Sequence, residues 1–351
     1  MQFLETGKGV LDMKRPTIRD VAEKAGVSKA AVSYVLNDVK KVSEETRRRV
    51  LEAMEELSYE PDFTAISLTK RRSQLIGIIM PLIDESISAV MQENSYYSEM
   101  ISAVEKEARD NGFDIVLAGL SEPSAYKAWV QKRRLDGLLF LGLFPEPIYK
   151  AMEDMDVPAV LIDTYESHTR DYPSINMDDR RGGALAAAHL LELGHEWLAF
   201  AAAGGSNPVE AERWHGFSEV LQEQGTVLPS PMHAGSTHTL EGGYRLADPL
   251  LQSGCTAVVC TSDIMAFGLI RALHDRRIRI PDDIAVTGFD DLAVSRYMYP
   301  SLTTVRQNIA DKGRRACTML LQRIRGEPSA SEVMPVHLVT RESTTGIPVE
   351  Q

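Results

Sequence analysis

The stretch TIRDVAEKAGVSKAAVSYVLND, Thr17 to Asp38, carries the signals of two short helices joined by a tight turn. Thr17 is followed three residues later by Asp20, which is the spacing of a capping box. Gly26 is typical of a helix C-terminus, and Ser28 is a good N-cap for the next helix. A pair of helices this short cannot bury a core alone, so it predicts a module that serves something outside itself.

Apolar side chains recur in this region at the spacing of one buried helical face. They are Ile18, Val21, Ala22 and Ala25 in the first helix, Ala31, Val32, Val35 and Leu36 in the second, and Val50, Leu51, Met54 and Leu57 in a third helix capped by Ser43. Several of them are alanines, which let the first two helices cross closely. The arrangement predicts a helix-turn-helix, whose second helix enters the major groove of DNA.

The charge distribution also favours a polyanionic partner. Residues 14–50 contain ten Lys or Arg against five Asp or Glu, which is a local charge of +5. The whole chain carries −12, so the remainder carries −17. A basic head on an acidic body suggests nucleic acid as a partner of the head. A solvated basic face without a partner would have the same composition.

From Leu75 onward, short apolar runs alternate with helix-like stretches. The runs include LIGIIMP, DIVLA, DGLLFL, AVLID, LAFAA, TAVVC and IAVTGF. Alternating strands and helices predict an α/β fold with parallel sheets covered on both faces. About 275 residues exceed one doubly wound unit, so we expect two such lobes. A ligand should bind in the crevice at the carboxyl ends of their strands.

Signatures of catalysis, metal binding and membrane insertion are missing from the sequence. It contains no G-x-G-x-x-G, no Walker A loop and no H-E-x-x-H motif. Cys255, Cys260 and Cys317 lack a zinc-type spacing, and the eight histidines are scattered. No apolar run reaches the roughly 18 residues of a membrane span. We therefore expect a soluble cytoplasmic protein that is not an enzyme, with no metal, no cofactor and no membrane partner.

Two groups of motifs resemble the lactose-repressor (LacI/GalR) family of bacterial transcription regulators. The first group is TIRDVAEKAGVSKAAVSYVLN, VSEETRRRVLEAMEELSYEP and PDFTAISL; the second is MDDRRGGALAAAHLLELGH, RWHGF, SDIMAFGLIRAL, IPDDIAVTGFDD and PSLTTVRQNI. The resemblance implies a helix-turn-helix domain and a two-lobed body like the periplasmic binding proteins.

The domain boundaries follow from the same resemblance. We expect a disordered leader at 1–12, the helix-turn-helix domain at 13–60, a hinge helix at 61–73, and the ligand-binding and dimerisation body at 74–351. Within the body, the lobe near the DNA should comprise about 74–172 and 303–332. The distal lobe should comprise about 173–302 and 333–351.

The resemblance also implies the DNA-binding residues. Lys29, Ala30 and Tyr34 match positions that read base edges in the major groove. The remaining expected DNA contacts are Thr17, Arg19, Ser28, Ala31, Ser33 and Asn37 on the helices, and Ala65 and Leu68 in the hinge. Leu68 matches a leucine that opens a base step from the minor groove, a wedge of the kind that bends DNA.

Eight residues match positions of the family's ligand cleft. They are Tyr96, Tyr97, Asp163, Arg213, His238, Ser262, Asp263 and Asp290. Aromatic faces beside Asp and Arg suit a sugar or sugar derivative. Two alternatives stay open: Asp163 and Asp263 can be helix or turn caps at strand ends, and one of the two tyrosines can belong to the core.

The resemblance implies a DNA-binding repressor, in the form of a homodimer or tetramer, that a small sugar-like inducer releases from a palindromic operator. The protein should be associated with the nucleoid when it is bound to its operator. The alternative is a corepressor mode in which the ligand strengthens DNA binding. A solute-binding protein or an enzyme of sugar metabolism would not need the basic head.

Overall fold

The computed structural model describes residues 16–36, 39, 41–59, 73–80, 91, 94–120, 122–165, 172–204, 207–235 and 238–346. The chain forms two compact units, residues 1–73 and residues 74–351. The first unit contains the helices α1 (Ile18–Ala25), α2 (Lys29–Leu36) and α3 (Glu44–Glu56). At the start of α1, the carboxylate of Asp20 accepts hydrogen bonds of 2.7 Å from the backbone N–H and from the hydroxyl of Thr17. Gly26 ends the helix at φ 62°.

The core of this unit joins α1, α2 and α3. Val21, Val32 and Val50, one from each helix, are fully buried and belong to the same hydrophobic cluster. Leu51 was expected on the buried stripe, but its exposed fraction is 51%. Ala53 takes that place, because residues three apart, such as Val50 and Ala53, lie on the same helical face.

The second unit contains two six-stranded sheets. The sheet of the first lobe has the strand order β11-β5-β4-β3-β1-β2, and all its neighbours are parallel. Its strands are β1 (Leu75–Met80), β2 (Asp114–Gly119), β3 (Gly137–Leu141), β4 (Ala159–Ile162), β5 (Ser174–Met177) and β11 (Glu332–Met334). Strands β3 and β4 are buried throughout, as expected for a sheet with helices on both faces.

The sheet of the second lobe has the order β12-β10-β9-β8-β6-β7. Only β12 runs antiparallel to its neighbour. The strands are β6 (Leu198–Ala202), β7 (Met232–His233), β8 (Ala257–Cys260), β9 (Ala285–Asp290), β10 (Thr303–Arg306) and β12 (His337–Val339). Two doubly wound sheets of this kind confirm the predicted α/β class.

The helices of this unit follow the strands in alternation. They are α4 (Ser95–Asp110), α5 (Pro123–Arg133), α6 (Glu146–Glu153), α7 (Asp179–Glu192), α8 (Pro208–Glu223), α9 (Leu240–Arg245), α10 (Ala247–Ser253), α11 (Asp263–Asp275), α12 (Ile309–Ile324) and α13 (Glu342–Thr345). A 3-10 turn spans Ser295–Tyr297.

The lobe boundaries differ from the expected ones at β5 and β10, and β11, which belongs to the first sheet, crosses the expected limit between 332 and 333. Strand β5 was expected in the distal lobe but pairs with β4 in the first sheet. Strand β10 was expected in the lobe near the DNA but pairs with β9 in the second sheet. The chain therefore changes lobes after β5, after β10 and after β11. Strand pairing decides these boundaries, since each strand completes the backbone hydrogen bonds of its neighbour.

Helices α7 and α8 cross at very close range in the second lobe. A Cβ on Gly183 would lie 1.9 Å from the carbonyl oxygen of Arg213, and a Cβ on Gly216 would lie 1.7 Å from that of Arg180. Only glycine allows this approach. The crossing fixes the part of α8 that carries Arg213.

Candidate functional site

Helix α2 of the first unit has one buried face and one open face. Val32 and Val35 are buried, whereas Lys29, Ala30 and Tyr34 are exposed. The open face runs from Lys29 and Ala30 in the first turn of the helix to Tyr34 in its second half. It offers an ammonium donor, a methyl group and a phenol, which are groups that can contact base edges.

The other expected DNA contacts on the helices fall into two groups. Thr17 and Ser28 are exposed cap residues, and the hydroxyl of Ser28 accepts a bond of 3.2 Å from the N–H of Ala31. Arg19 is exposed, and Ser33 is half-buried. Asn37, Ala65 and Leu68 lie outside the described residues.

In the second unit, a buried lysine lies at the end of β4. Asp163 follows that strand at φ 58°. Its two carboxylate oxygens lie 2.7 and 3.0 Å from Nζ of Lys312, which is fully buried on α12. The hydroxyl of Tyr96 also donates to Asp163. Burial, and next the charge of Asp163, raise the pKa of Tyr96 well above its usual value, so the phenol stays protonated.

A glutamine links this cluster to the second lobe. Nζ of Lys312 donates to Oε1 of Gln307 at 2.9 Å, and Nε2 of Gln307 donates to Asp290 at the end of β9. Gln307 lies in the segment where the chain passes from β10 to α12. The contacts therefore run from Asp163 of the first lobe to Asp290 of the second. Tyr97 lies edge-on to Tyr96, with ring centroids 5.3 Å apart.

Arg213 is the central cation of the second lobe. Its Nε donates to Asp179 at 2.7 Å, a second nitrogen donates to the carbonyl of Thr261, and its guanidinium lies 3.4 Å from the ring centre of Phe289. The hydroxyl of Tyr165, which follows β4 in the first lobe, lies 2.7 Å from Asp179. Burial raises the pKa of Asp179 above its usual value, although the positive charge of Arg213 acts in the opposite direction and lowers it.

A second carboxylate of this lobe is held by four donors. Glu210 accepts bonds from the N–H groups of Ala203 and Gly204, from the hydroxyl of Thr261 and from the ring of His238, which is 2.8 Å away. Burial alone would raise its pKa, but the hydrogen bond and charge of His238, with these other donors, lower it to about 2. His238 is therefore held by a carboxylate of its own lobe.

Ser262 and Asp263 make hydrogen bonds that stabilise the local fold. The hydroxyl of Ser262 caps α11. Asp263 is fully buried and accepts bonds from the N–H of Leu292 and from the hydroxyls of Ser295 and Thr304. These bonds fix the loop after β9, so the described contacts of Asp263 are long-range ones and not those of a local turn or helix cap.

Six of the eight predicted cleft residues thus belong to these side-chain clusters: Asp163 and Asp290 at the ends of β4 and β9, Tyr96 and Tyr97 at the start of α4, Arg213 in the first half of α8, and His238 before α9. The structure adds residues that the sequence reasoning missed. The missed ones are Tyr165, Asp179, Glu210, Gln307 and Lys312. Lys312 had a signal: it falls on the apolar stripe of α12 with Ile309, Ala316 and Leu320. A lysine at a core position of a helix points to a buried ion pair.

Among the residues that the structure describes, no group of three or more His, Cys, Asp or Glu could hold a metal ion. Over the same residues, no helix is long and apolar enough to cross a membrane.

Comparison with known proteins gives a match for each of the two units. Residues 17–62 match the family model described as bacterial regulatory proteins, lacI family, and residues 187–344 match a periplasmic binding protein-like domain. The HTH-type transcriptional repressor PurR of Escherichia coli is 33% identical over 344 residues, 95% of this chain and 98% of that protein.

Solved structures match the whole architecture. The Lac repressor dimer bound to operator and the anti-inducer ONPF has a TM-score of 0.80 and 29% identity, over 94% of this chain and 99% of that one. The regulator CelR in complex with cellobiose has a TM-score of 0.71 and 27% identity, over 94% and 100% of the two chains. A LacI family regulator from Enterococcus faecium with bound ribose has a TM-score of 0.68 and 26% identity, over 79% and 100%.

A helix-turn-helix unit and a two-lobed binding unit in one chain define a ligand-responsive DNA-binding regulator. The chain belongs to the lacI family of bacterial regulatory proteins. It is a DNA-binding transcriptional repressor with a small-molecule effector, and it is not an enzyme.

Proposed function

We propose that this repressor binds a palindromic operator as a homodimer and is released by a neutral, sugar-like inducer. The observation that carries the proposal is the exposed face of α2, with Lys29, Ala30 and Tyr34 above buried Val32 and Val35. An exposed polar face on the second helix of a helix-turn-helix is the surface that reads the major groove.

Within this surface, the proposed roles follow from side-chain chemistry. Lys29 donates to guanine O6 or N7, Ala30 packs on a thymine methyl, and Tyr34 donates or accepts at a base edge. Thr17, Arg19, Ser28, Ala31, Ser33 and Asn37 contact phosphate or position the helix. In the hinge segment 61–73, Leu68 wedges into the minor groove beside Ala65.

A dimer is proposed because one headpiece reads only half of a palindromic site. The second unit offers an exposed apolar loop after β9, where Tyr297 and Tyr299 have exposed fractions of 79% and 88%, and Val294 of 50%. Contiguous aromatic exposure of this kind is typical of an interface between proteins. A second copy of the chain is its proposed occupant, as the Lac repressor complex is a dimer on its operator.

The effector is proposed to bind between the lobes, against Tyr97, Asp163, Arg213, His238 and Asp290. The side-chain clusters described above contain the carboxylates of Asp163, Asp179, Glu210 and Asp290. Both cations, Lys312 and Arg213, already have carboxylate partners. Among the described residues, neither cation is left for a phosphate or carboxylate of a ligand. A carboxylate has about four lone-pair sites, so Asp163 and Asp290, which accept fewer bonds than that from the described residues, can accept further ones from hydroxyl groups. Cellobiose and ribose in two relatives are ligands of that chemistry.

The proposed mechanism is a population shift. An inducer that binds the closed arrangement of the two lobes better than the open one moves the equilibrium by its differential affinity. The shift changes the relative position of the hinge helices of the two protomers. Affinity for the operator falls as a result. Domain limits at 13–60, 61–73 and 74–351 belong to this proposal.

The test is a selection of genomic fragments by the purified protein, followed by sequencing. Wild type should enrich palindromes, and the double variant Lys29→Ala, Tyr34→Ala should not enrich the same ones. Equal enrichment by the two proteins would contradict the role of α2. Cellobiose and D-ribose are then added to the selected DNA complex. Release supports an inducer, whereas tighter binding would contradict it in favour of a corepressor.

A further inference from the structure

Lys312 is an unusual residue for its position. It lies in the first turn of α12 and is fully buried. Burial of an ammonium group is costly, and the N-terminal end of a helix is unfavourable for a cation because of the helix dipole. Both costs require a strong compensating site. The structure provides one in three acceptor oxygens.

These acceptors satisfy every N–H of the ammonium group. They are Oδ1 of Asp163 at 2.7 Å, Oδ2 of Asp163 at 3.0 Å and Oε1 of Gln307 at 2.9 Å. The ring centre of Tyr96 lies 5.1 Å from Nζ, within the range of a cation–π contact. A carboxylate, an amide oxygen and an aromatic ring around one nitrogen form a complete receptor for a primary amine.

The position of this cluster connects it with ligand binding. Asp163 follows the carboxyl end of β4, where doubly wound sheets bind their ligands. Its side chain keeps an exposed fraction of 16%, whereas that of Lys312 has none. Gln307 uses its amide nitrogen to hold Asp290 of the second lobe. The receptor thus borders the crevice between the lobes.

We propose that Asp163, Gln307 and the ring of Tyr96 form a subsite for a primary ammonium group, which Lys312 of the same chain fills, so that Lys312 is a specificity-determining residue of the cleft. Its consequence for effector choice rests on the proposed function. With the subsite filled, the wild-type cleft has no place for an amine-bearing ligand at this wall. Recognition is left to the hydroxyl groups of the effector.

Vacating the subsite tests the proposal without knowledge of the effector. Lys312→Ala removes three methylene groups and the ammonium, which together have the structure of n-propylammonium. The full chain is melted in 50 mM n-propylammonium chloride and in sodium chloride of equal ionic strength. The midpoint of Lys312→Ala should rise by about 2–4 °C in the amine. Wild type should not respond.

Two variants isolate the subsite from general amine effects. Lys312→Met fills the space without a charge, and the double variant Lys312→Ala, Asp163→Asn lacks the acceptor; neither should respond to the amine. n-Propanol should not replace n-propylammonium with Lys312→Ala. If Lys312→Ala is unfolded in sodium chloride, the amine should restore its folded circular dichroism.

A response of Lys312→Ala no larger than that of Lys312→Met, or no restoration of its fold, would overturn the proposal. Operator binding by wild type does not enter this measurement. Failure of the ammonium subsite is therefore distinguishable from failure of the proposed repressor mechanism.

Discussion

The carboxylate of Asp179 holds the guanidinium of Arg213 at 2.7 Å, with both side chains buried in the second lobe. The pair joins the first residue of α7 to the first half of α8, at the close crossing of these helices. Buried ion pairs are costly to break, because one charge then remains buried without a partner.

Asp179→Ala should therefore lower the free energy of unfolding by about 3 kcal/mol. Arg213 would keep the carbonyl of Thr261 and the ring of Phe289 but lose its counter-charge. Urea unfolding followed by circular dichroism measures the change. The double variant Asp179→Ala, Arg213→Met removes both charges and should be less destabilised than the sum of the two single variants. Additive losses would show that the pair is not coupled.

Asp290 should make stability depend on pH. Burial raises its pKa to about 6, against the opposing charge of Arg213 and the hydrogen bond from Gln307. An acid with a raised pKa in the folded state contributes stability that is complete below its unfolded pKa and is lost as pH rises through the folded one. Asp290→Asn keeps a neutral side chain at every pH.

Between pH 4.5 and 7, the free energy of unfolding of Asp290→Asn should consequently rise by about 2 kcal/mol relative to that of wild type. Unfolding in urea at a series of pH values gives the difference directly. Asp156→Asn, at an exposed position, is the matched control. A difference between Asp290→Asn and wild type that stays constant with pH would contradict the assignment.

Gly216→Ala should destabilise the second lobe by about 2 kcal/mol or more. The added Cβ would meet the carbonyl oxygen of Arg180, and backbone cannot move aside as a flexible side chain can. Gln222→Ala, on the exposed face of the same helix, should leave stability nearly unchanged. Thermal unfolding of the two variants measures the contrast, and similar midpoints would refute the close crossing.

Lys29→Ala should change the sequence preference of the repressor. If Lys29 reads a base, its loss should cost about 1–3 kcal/mol of discrimination at one operator position. Arg48→Ala removes a charge from α3 and should weaken binding without altering preference. Randomised operators selected by each protein give the comparison. An unchanged preference for Lys29→Ala would assign this residue to phosphate instead.

Tyr297→Lys with Tyr299→Lys should convert the proposed dimer to a monomer. Two charges placed in a desolvated interface leave unpaired cations, which is strongly unfavourable. Sedimentation velocity at micromolar concentration gives the mass. Trp197→Lys introduces the same charge at another exposed aromatic residue and should leave the dimer intact. A dimer in both cases would place the interface elsewhere.

Patterns of local origin were predictable from the chain. Helix caps at Thr17 and Ser43, the buried face of α2 and the alternation of strands and helices depend on residues close together in sequence. The prediction that Leu51 is buried was wrong. The apolar stripe of a helix is broad, and residues at its edge are buried only if a neighbouring helix covers them.

The cleft shows the limit of such patterns. The resemblance to the family identified Asp163, Arg213 and Asp290 as cleft residues. It did not identify the residues that they contact. Lys312 is 149 residues from Asp163 along the chain, and Asp179 is 34 residues from Arg213. Contacts at such separations arise from sheet topology, and a one-dimensional pattern does not contain them.

The sequence by itself determined that this protein has a helix-turn-helix domain and an α/β body, because helical and strand periodicities are local properties. Its DNA-binding role followed from the resemblance to the lacI family and from the charge distribution. Tertiary structure alone decided which lobe receives β5 and β10, and that the two cations of the cleft are each paired with a carboxylate. Those outcomes depend on which strands find each other and on which charges burial forces together. Both are consequences of packing the whole chain.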